Sequence, residues 1–412
     1  MPHLRDCVVL HGPELTPHHC ADFAWDGDHI TAMDLGAPCP RLDTGALVVM
    51  PGLYNGHTHL GDSALPDGAA GLTLEEGFFR PHGYKYVELA QLDRAEHLAR
   101  VEAALRYMTR TGTIAHLDFR EQGVHGAELL REAAARVGID SLILSQFNDS
   151  PFPDAQLNDQ TLPLPASART ELEGMLAVAD GFSESTMNDL TDAGWREVRA
   201  RTDELGKLRA IHCLENEGYR ELSLRRTGSG DLIRAFELLD PHLIIHLTSA
   251  NAEEIALMAG SGRTAALNPR ANTTLGLPVP PILALLDVGA NLLLGTDNVM
   301  LTQPDLFAEL DFTYRLARSQ ATAARAAEPD PAAILRMVTS NIRPLLGGDH
   351  YGYLAKGLPA SFVVLDFTAD HLRYTRNLLT TLATRIGTAD VLATYRSGRR
   401  LWAAPAFEST DL

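Results

Sequence analysis

Eight apolar, β-like runs alternate with longer stretches of helical period, and this repetition constrains the fold of the chain more than any other feature. The runs lie at residues 54–60, 113–119, 141–147, 175–179, 208–213, 243–247, 264–268 and 291–295. Eight parallel strands, each followed by a helix, close into an α/β, (β/α)8 TIM-like barrel. The clearest helix is predicted over residues 93–110, where Leu98, Val101, Leu105 and Met108 form one stripe before Thr111-Gly112 stops it. Short strand-like segments outside the repeat, such as Cys7-Val8-Val9-Leu10 and Ser361-Phe362-Val363-Val364-Leu365, predict a small β-sandwich built from both termini. The expected organisation is residues 1–50 in the small domain, 51–350 in the barrel and 351–412 returning to the small domain.

Composition narrows the function classes. A net charge of -18 argues against binding nucleic acid, because affinity for phosphate backbones comes mainly from Lys and Arg. The four cysteines show no CxxC pair, which argues against a disulfide framework and fits a reducing cytoplasm. No apolar run approaches the roughly 18 residues of a membrane span, and the N-terminus lacks a signal-like pattern. A cytoplasmic enzyme acting on a small molecule, without a membrane or nucleic-acid partner, is the expectation.

His57 and His59 lie two apart on the first run, so strand alternation places both imidazoles on one face. His212, His246 and Asp297 each fall at the C-terminal end of a separate later strand, where barrel active sites collect. Three imidazoles and a carboxylate suit one borderline divalent ion, Zn or alternatively Fe, with a position open for a water that the ion acidifies. Glu215, three residues beyond His212, is a candidate proton shuttle, with a solvated loop carboxylate as the structural alternative.

Four stretches together resemble the cytosine-deaminase-like and triazine-hydrolase-like branch of the amidohydrolase superfamily. They are Met50-Pro51-Gly52-Leu53-Tyr54-Asn55-Gly56-His57-Thr58-His59-Leu60, the His212 to Glu215 unit, Leu294-Gly295-Thr296-Asp297-Asn298, and Leu354-Ala355-Lys356-Gly357-Leu358-Pro359-Ala360. The resemblance implies that His57, His59, His212 and Asp297 hold the ion, that His246 sits beside the activated water, and that Glu215 serves the substrate ring. Catalysis then falls to Glu215, His246 and Asp297. A binuclear relative would carry a bridging lysine near the end of strand four, and residues 175–182 contain none. The activity that the resemblance implies is that of a deaminase expelling ammonia from an amino-substituted heterocycle. Ring opening of a cyclic amide, as in imidazolonepropionase-like members, is the alternative, and a non-catalytic barrel binder a more distant one. Similar enzymes are often dimers.

The chain departs from the branch after strand seven, where Asn268-Pro269-Arg270-Ala271-Asn272 stands in place of a Pro-x-Ser-Asn type segment. Arg270 can fork onto a substrate acceptor or form a loop ion pair. On strand two, alternation puts His116, Asp118 and Arg120 on one face, expected inward, as substrate contacts or as support for the ligands. Arg270, Asn272, Arg120 and Asn298 are therefore the candidate substrate-binding residues. The loop after strand one offers Phe78, Phe79, Arg80, Tyr84, Lys85 and Tyr86 for stacking or simple packing.

Overall fold

The computed structural model describes residues 2–348 and 350–408. Two sheets organise them. The first begins with β1 (His3–His11), β2 (Thr16–Asp26), β3 (His29–Pro38) and β4 (Leu47–Pro51). The barrel follows as β5 (Leu53–His59), β6 (Thr113–Arg120), β7 (Asp140–Ser145), β8 (Gly181–Phe182), β9 (Leu208–Cys213), β10 (Leu243–His246), β11 (Thr264–Leu267), β12 (Asn291–Leu294) and β13 (Asp297–Asn298). The chain then returns to the first sheet with β14 (Phe362–Asp366), β15 (Val391–Arg396) and β16 (Arg399–Ala403).

The terminal strands form one seven-stranded sheet in the order β16-β15-β14-β4-β1-β2-β3. Period-two alternation divides its side chains between two cores. Val8, Leu10, Val48, Met50, Val363 and Leu365 join the large barrel-side cluster. Their neighbours Cys7, Val9, Val49, Phe362 and Val364 face a second cluster with Phe23, Trp25 and Tyr395. Trp25 on β2 meets Tyr395 on β15 with ring centroids 5.2 Å apart, although those strands are not adjacent in the sheet. The expected small β domain is thus a single sheet curled onto itself around aromatic side chains, each contributing about 1.5–3 kcal/mol when fully buried.

The barrel strands run parallel in the order β12-β11-β10-β9-β8-β7-β6-β5-β13. β12 and β13 are the two halves of one last strand, broken at Gly295-Thr296. Its first half pairs with β11 and its second half with β5, which closes the ring. At the break Gly295 N donates to Leu267 O and Thr296 N to His57 O, both at 3.0 Å. Asn55 spans the same seam: its Oδ1 accepts from Thr296 N at 3.1 Å, and its Nδ2 donates to Thr296 Oγ1 at 2.8 Å. A side chain at position 295 has no room, since a Cβ there would lie 2.6 Å from His57 Cβ.

The helix expected before Thr111-Gly112 is Arg94–Arg110, with Asp93 accepting from Ala95 N and Glu96 N as its cap. The fourth barrel strand is not at residues 175–179. Those residues close the helix Ala166–Val178, and the strand is the two-residue Gly181–Phe182. Leu172, Met175 and Leu176 bury the stripe of that helix, so a short apolar run with mixed spacing read as a strand belongs to a helix. Among the described residues no helix is long and apolar enough to cross a membrane. All four cysteines are buried and free.

Because the Asn55 amide serves both sides of the seam in a fully buried position, Asn55→Ala strands Thr296 Oγ1 and leaves Thr296 N with the His57 carbonyl alone. The expected loss is about 1–3 kcal/mol of unfolding free energy, measured by denaturant titration.

Candidate metal and active site

The four proposed ligands and His246 gather at the C-terminal end of the barrel: His57 and His59 on β5, His212 on β9, His246 on β10 and Asp297 at the start of β13, the second half of the last strand. Their ligand atoms converge. Those of His57, His212 and His246 lie within 4.8 Å of one another, as do those of His57, His59 and Asp297. His57 Nε2 is 3.2 Å from Asp297 Oδ1, His59 Nε2 is 3.7 Å from the same oxygen, and His59 Nε2 is 3.4 Å from His212 Nε2. All five residues are buried.

The remaining ring nitrogens are oriented from behind. His59 Nδ1 donates to Glu121 Oε1 at 2.7 Å, and His212 Nδ1 donates to the Glu184 carbonyl at 2.9 Å. Each bond leaves Nε2 as a bare lone pair facing the cluster. His246 Nδ1 meets the side-chain amides of Asn268 at 3.2 Å and Asn272 at 3.1 Å. His57 is completely buried, yet its Nδ1 has no hydrogen-bond partner and its Nε2 meets only the Asp297 carboxylate in poor hydrogen-bond geometry. Such an orphaned imidazole is costly unless its lone pair is satisfied by something else.

Electrostatics favour the same reading. Burial holds His57 down to about 3 and His246 to about 4, and keeps His212 well below the ordinary imidazole range. Burial opposes the Asp297 carboxylate, yet His57, ahead of His246 and His59, keeps it well below the usual carboxylate range. Neutral imidazoles beside an ionised carboxylate are what a divalent cation requires of its ligands, so these residues fit a bound metal ion. Backbone strain marks the same place: His246 at φ 80°, Leu247 at 54° and Asp297 at 62° are left-handed without being glycine, a conformation that persists only where the surroundings enforce it.

The cavity above the cluster is lined by Glu215, Lys85, Asn298, Ser185 and the apolar or aromatic side chains of Leu74, Phe78, Tyr86 and Tyr219. Glu215 is 7% exposed, with Oε1 3.6 Å from His246 Nε2. Burial, followed by the charge of Asp297, pushes its carboxyl up to about 8. A solvated loop carboxylate it is not.

Of the four candidate substrate contacts, Asn298 lines the cavity, and Arg120, Arg270 and Asn272 lie outside its lining. The inward face of β6 carries Phe119, whose ring lies 4.5 Å from His57 and 4.9 Å from His212. The alternate residues therefore point the other way. Thr58 Oγ1 and Leu60 N donate to Asp118 Oδ2 at 2.8 Å, and Arg120 Nε donates to the Gly126 carbonyl at 2.9 Å. Arg120 braces the wall behind the ligands instead of meeting a substrate. Arg270 turns outward, with Nη1 3.6 Å from the buried Glu309 and donating to the Gln303 carbonyl at 3.3 Å; the loop ion pair is what forms. Asn272 touches His246 from behind. Asn298 lines the cavity while its Nδ2 donates to Asp62 Oδ2 at 2.7 Å.

Sequence reading missed Ser185, Leu74 and Tyr219. Ser185 follows the misplaced fourth strand. Tyr219 lies four residues beyond Glu215, in the first turn of the helix Glu217–Thr227 that follows it. Of the loop aromatics, Phe78 and Tyr86 reach the cavity, and Phe79 stacks on Tyr219 at 5.7 Å.

A ligand cluster this buried predicts that metal binding is coupled to stability. Removing the ion with a chelator is expected to lower Tm and adding it back to restore it, by calorimetry. Asp297→Asn is expected to lower the bound metal per chain measured by elemental analysis, whereas Glu215→Gln retains it.

Comparison with known proteins agrees with this geometry. The family model described as the Amidohydrolase family matches residues 48–401. A Methanothermobacter thermautotrophicus protein provisionally named an aminohydrolase is 34% identical over 360 residues, covering 87% of this chain and 90% of that one. A Syntrophobacter fumaroxidans protein named 5-methylthioadenosine/S-adenosylhomocysteine deaminase is 28% identical, covering 87% and 81%. Among solved structures, a zinc-bound adenosine deaminase from Xanthomonas campestris superposes with a TM-score of 0.79 at 22% identity, covering 97% of this chain and 92% of that one. A zinc complex of atrazine chlorohydrolase from Arthrobacter aurescens gives 0.77 at 18%, covering 97% and 95%. At those identities the structures speak to the fold, and the family match to descent: the chain belongs to the amidohydrolase family.

Proposed function

We propose that this protein is a metal-dependent aminohydrolase that releases ammonia from an amino-substituted nitrogen heterocycle. The observation that carries the reading is Glu215, a buried carboxyl in an aromatic-walled cavity, 3.6 Å from His246 and directly above the ligand cluster. The names of related deaminases support it.

In this reading His57, His59, His212 and Asp297 hold one divalent ion, zinc in the first instance and iron as the alternative. When bound, the ion would supply the Lewis acidity that makes a water nucleophilic toward an electron-poor ring carbon. Asp297, held ionised among the imidazoles, accepts a proton from the attacking water. His246 faces the same place with Nε2 and is restrained at Nδ1 by Asn268 and Asn272. Glu215, carrying its proton near neutral pH, protonates a ring nitrogen as the carbon–oxygen bond forms. Phe78, Tyr86 and Tyr219 offer faces for the ring and displace water from it. The proton returned to the amine lets the carbon–nitrogen bond break and ammonia depart.

Glu215→Gln is expected to lower kcat by about 100-fold or more while metal content is unchanged, because the acid is lost and the ligands are not. The assay is ammonia release from a panel of amino-heterocycles by the metal-loaded enzyme. A carboxylate product without ammonia would instead identify a cyclic amide hydrolase.

A further inference from the structure

The chain has only three lysines, Lys85, Lys207 and Lys356, and of these only Lys85 is buried. It lies on the short helix Tyr84–Leu89, 2% exposed, and its side chain lines the cavity above the histidines. Its ammonium pairs with Glu121, stands 3.7 Å from Asp62, and lies 5.8 Å from the Phe78 ring centroid and 5.9 Å from that of Tyr86. An ammonium has three N–H donors. Glu121 engages one of them and Asp62 attracts the charge from beyond hydrogen-bond distance, which leaves a donor for the cavity.

No other cationic side chain among the described residues lines that cavity. Arg80 is held by Glu184, Asp189 and the Phe147 carbonyl. Arg120 is bound to the Gly126 carbonyl and Arg270 to the Gln303 carbonyl and Glu309. The cation that remains is flanked by two carboxylates, and with the buried Arg120 guanidinium 3.5 Å from Glu121 the group of Asp62, Lys85, Arg120 and Glu121 carries no net charge. Such a group has no spare positive charge to neutralise a buried carboxylate or phosphate, yet it offers a strong donor to a neutral acceptor. Glu215, the donor toward a ring nitrogen, lines the same cavity.

We infer that Lys85 anchors the substrate by donating to a ring oxo oxygen, so that the substrate class is an uncharged amino-oxo heterocycle of the lactam type. This rests on the aminohydrolase reading and narrows it. Oxo-free amino rings leave an N–H of the buried ammonium without an acceptor, and anionic rings meet a cation whose charge Glu121 and Asp62 already balance.

The test is calorimetric binding to the zinc-loaded full chain of matched pairs: cytosine against 4-aminopyrimidine, guanine against 2-aminopurine, and 2-amino-4-oxopteridine against 2-aminopteridine. In at least one pair the oxo compound is expected to bind about 100-fold more tightly. Lys85→Met is expected to abolish that preference with zinc retained, and Lys85→Arg to keep part of it. A wild-type protein that shows no preference in every pair overturns the inference without using any variant. Equal weakening of both members of a pair by Lys85→Met also overturns it, since a brace acting through Glu121 and His59 would affect both alike. Cytosine-5-carboxylate is expected to bind more weakly than cytosine, and tighter binding would sink the exclusion of anions. Ammonia release, measured separately, distinguishes the two readings: a preference without ammonia removes the aminohydrolase function and leaves the anchor, and ammonia without a preference does the reverse.

Discussion

The seam between the first and last barrel strands is the constraint on which the rest depends. Breaking the last strand at Gly295-Thr296 lets its first half pair with β11 and its second half with β5. The same break turns Asp297 into a left-handed conformation that presents its carboxylate to His57. Barrel closure and the convergence of ligands are therefore one event. Asn55 couples them, because the amide that bridges the seam also accepts from His57 N at 3.3 Å. A fully paired last strand would close the ring as well, but it would not turn Asp297 in this way.

Around the ligands runs an outer ring of charge. Glu121 orients His59 and holds Lys85, Lys85 reaches toward Asp62, and Asp62 accepts from Asn298 and from Met300 N at 3.0 Å. A lone ion in this setting is expensive to bury, and each member offsets the desolvation of the next. The ring connects β5, β6, the helix Tyr84–Leu89 and β13, so the wall that receives a substrate and the wall that orients the ligands share side chains. Gly61 belongs to this arrangement for a steric reason: a Cβ there would collide with Arg120 and Glu121.

How far the primary sequence reached depended on how local the physics was. Alternation along single strands and the ends of seven of the eight barrel runs could be read directly, because strand periodicity and turn residues act over a few positions. The fourth strand could not, since two residues carry no period, and the apolar positions before it had a helical partner stripe instead. For β6 the period was legible but the facing was not. Which of two alternating sets points inward depends on what waits there, and Phe119 packs on the histidine rings while His116, Asp118 and Arg120 take the polar outer layer.

Residue type and strand-end position were enough to single out the residues able to hold an ion, His57, His59, His212, His246 and Asp297, together with Glu215 beside them. The membership of the long side chains in the cavity was settled only by folding. Arg270 and Arg120 found carboxylates and carbonyls outside it, while Lys85, one name among several in a loop, was brought against Glu121 and Asp62 at its wall. A flexible cation goes where the field of distant residues is most favourable, and that field exists only once the chain has folded.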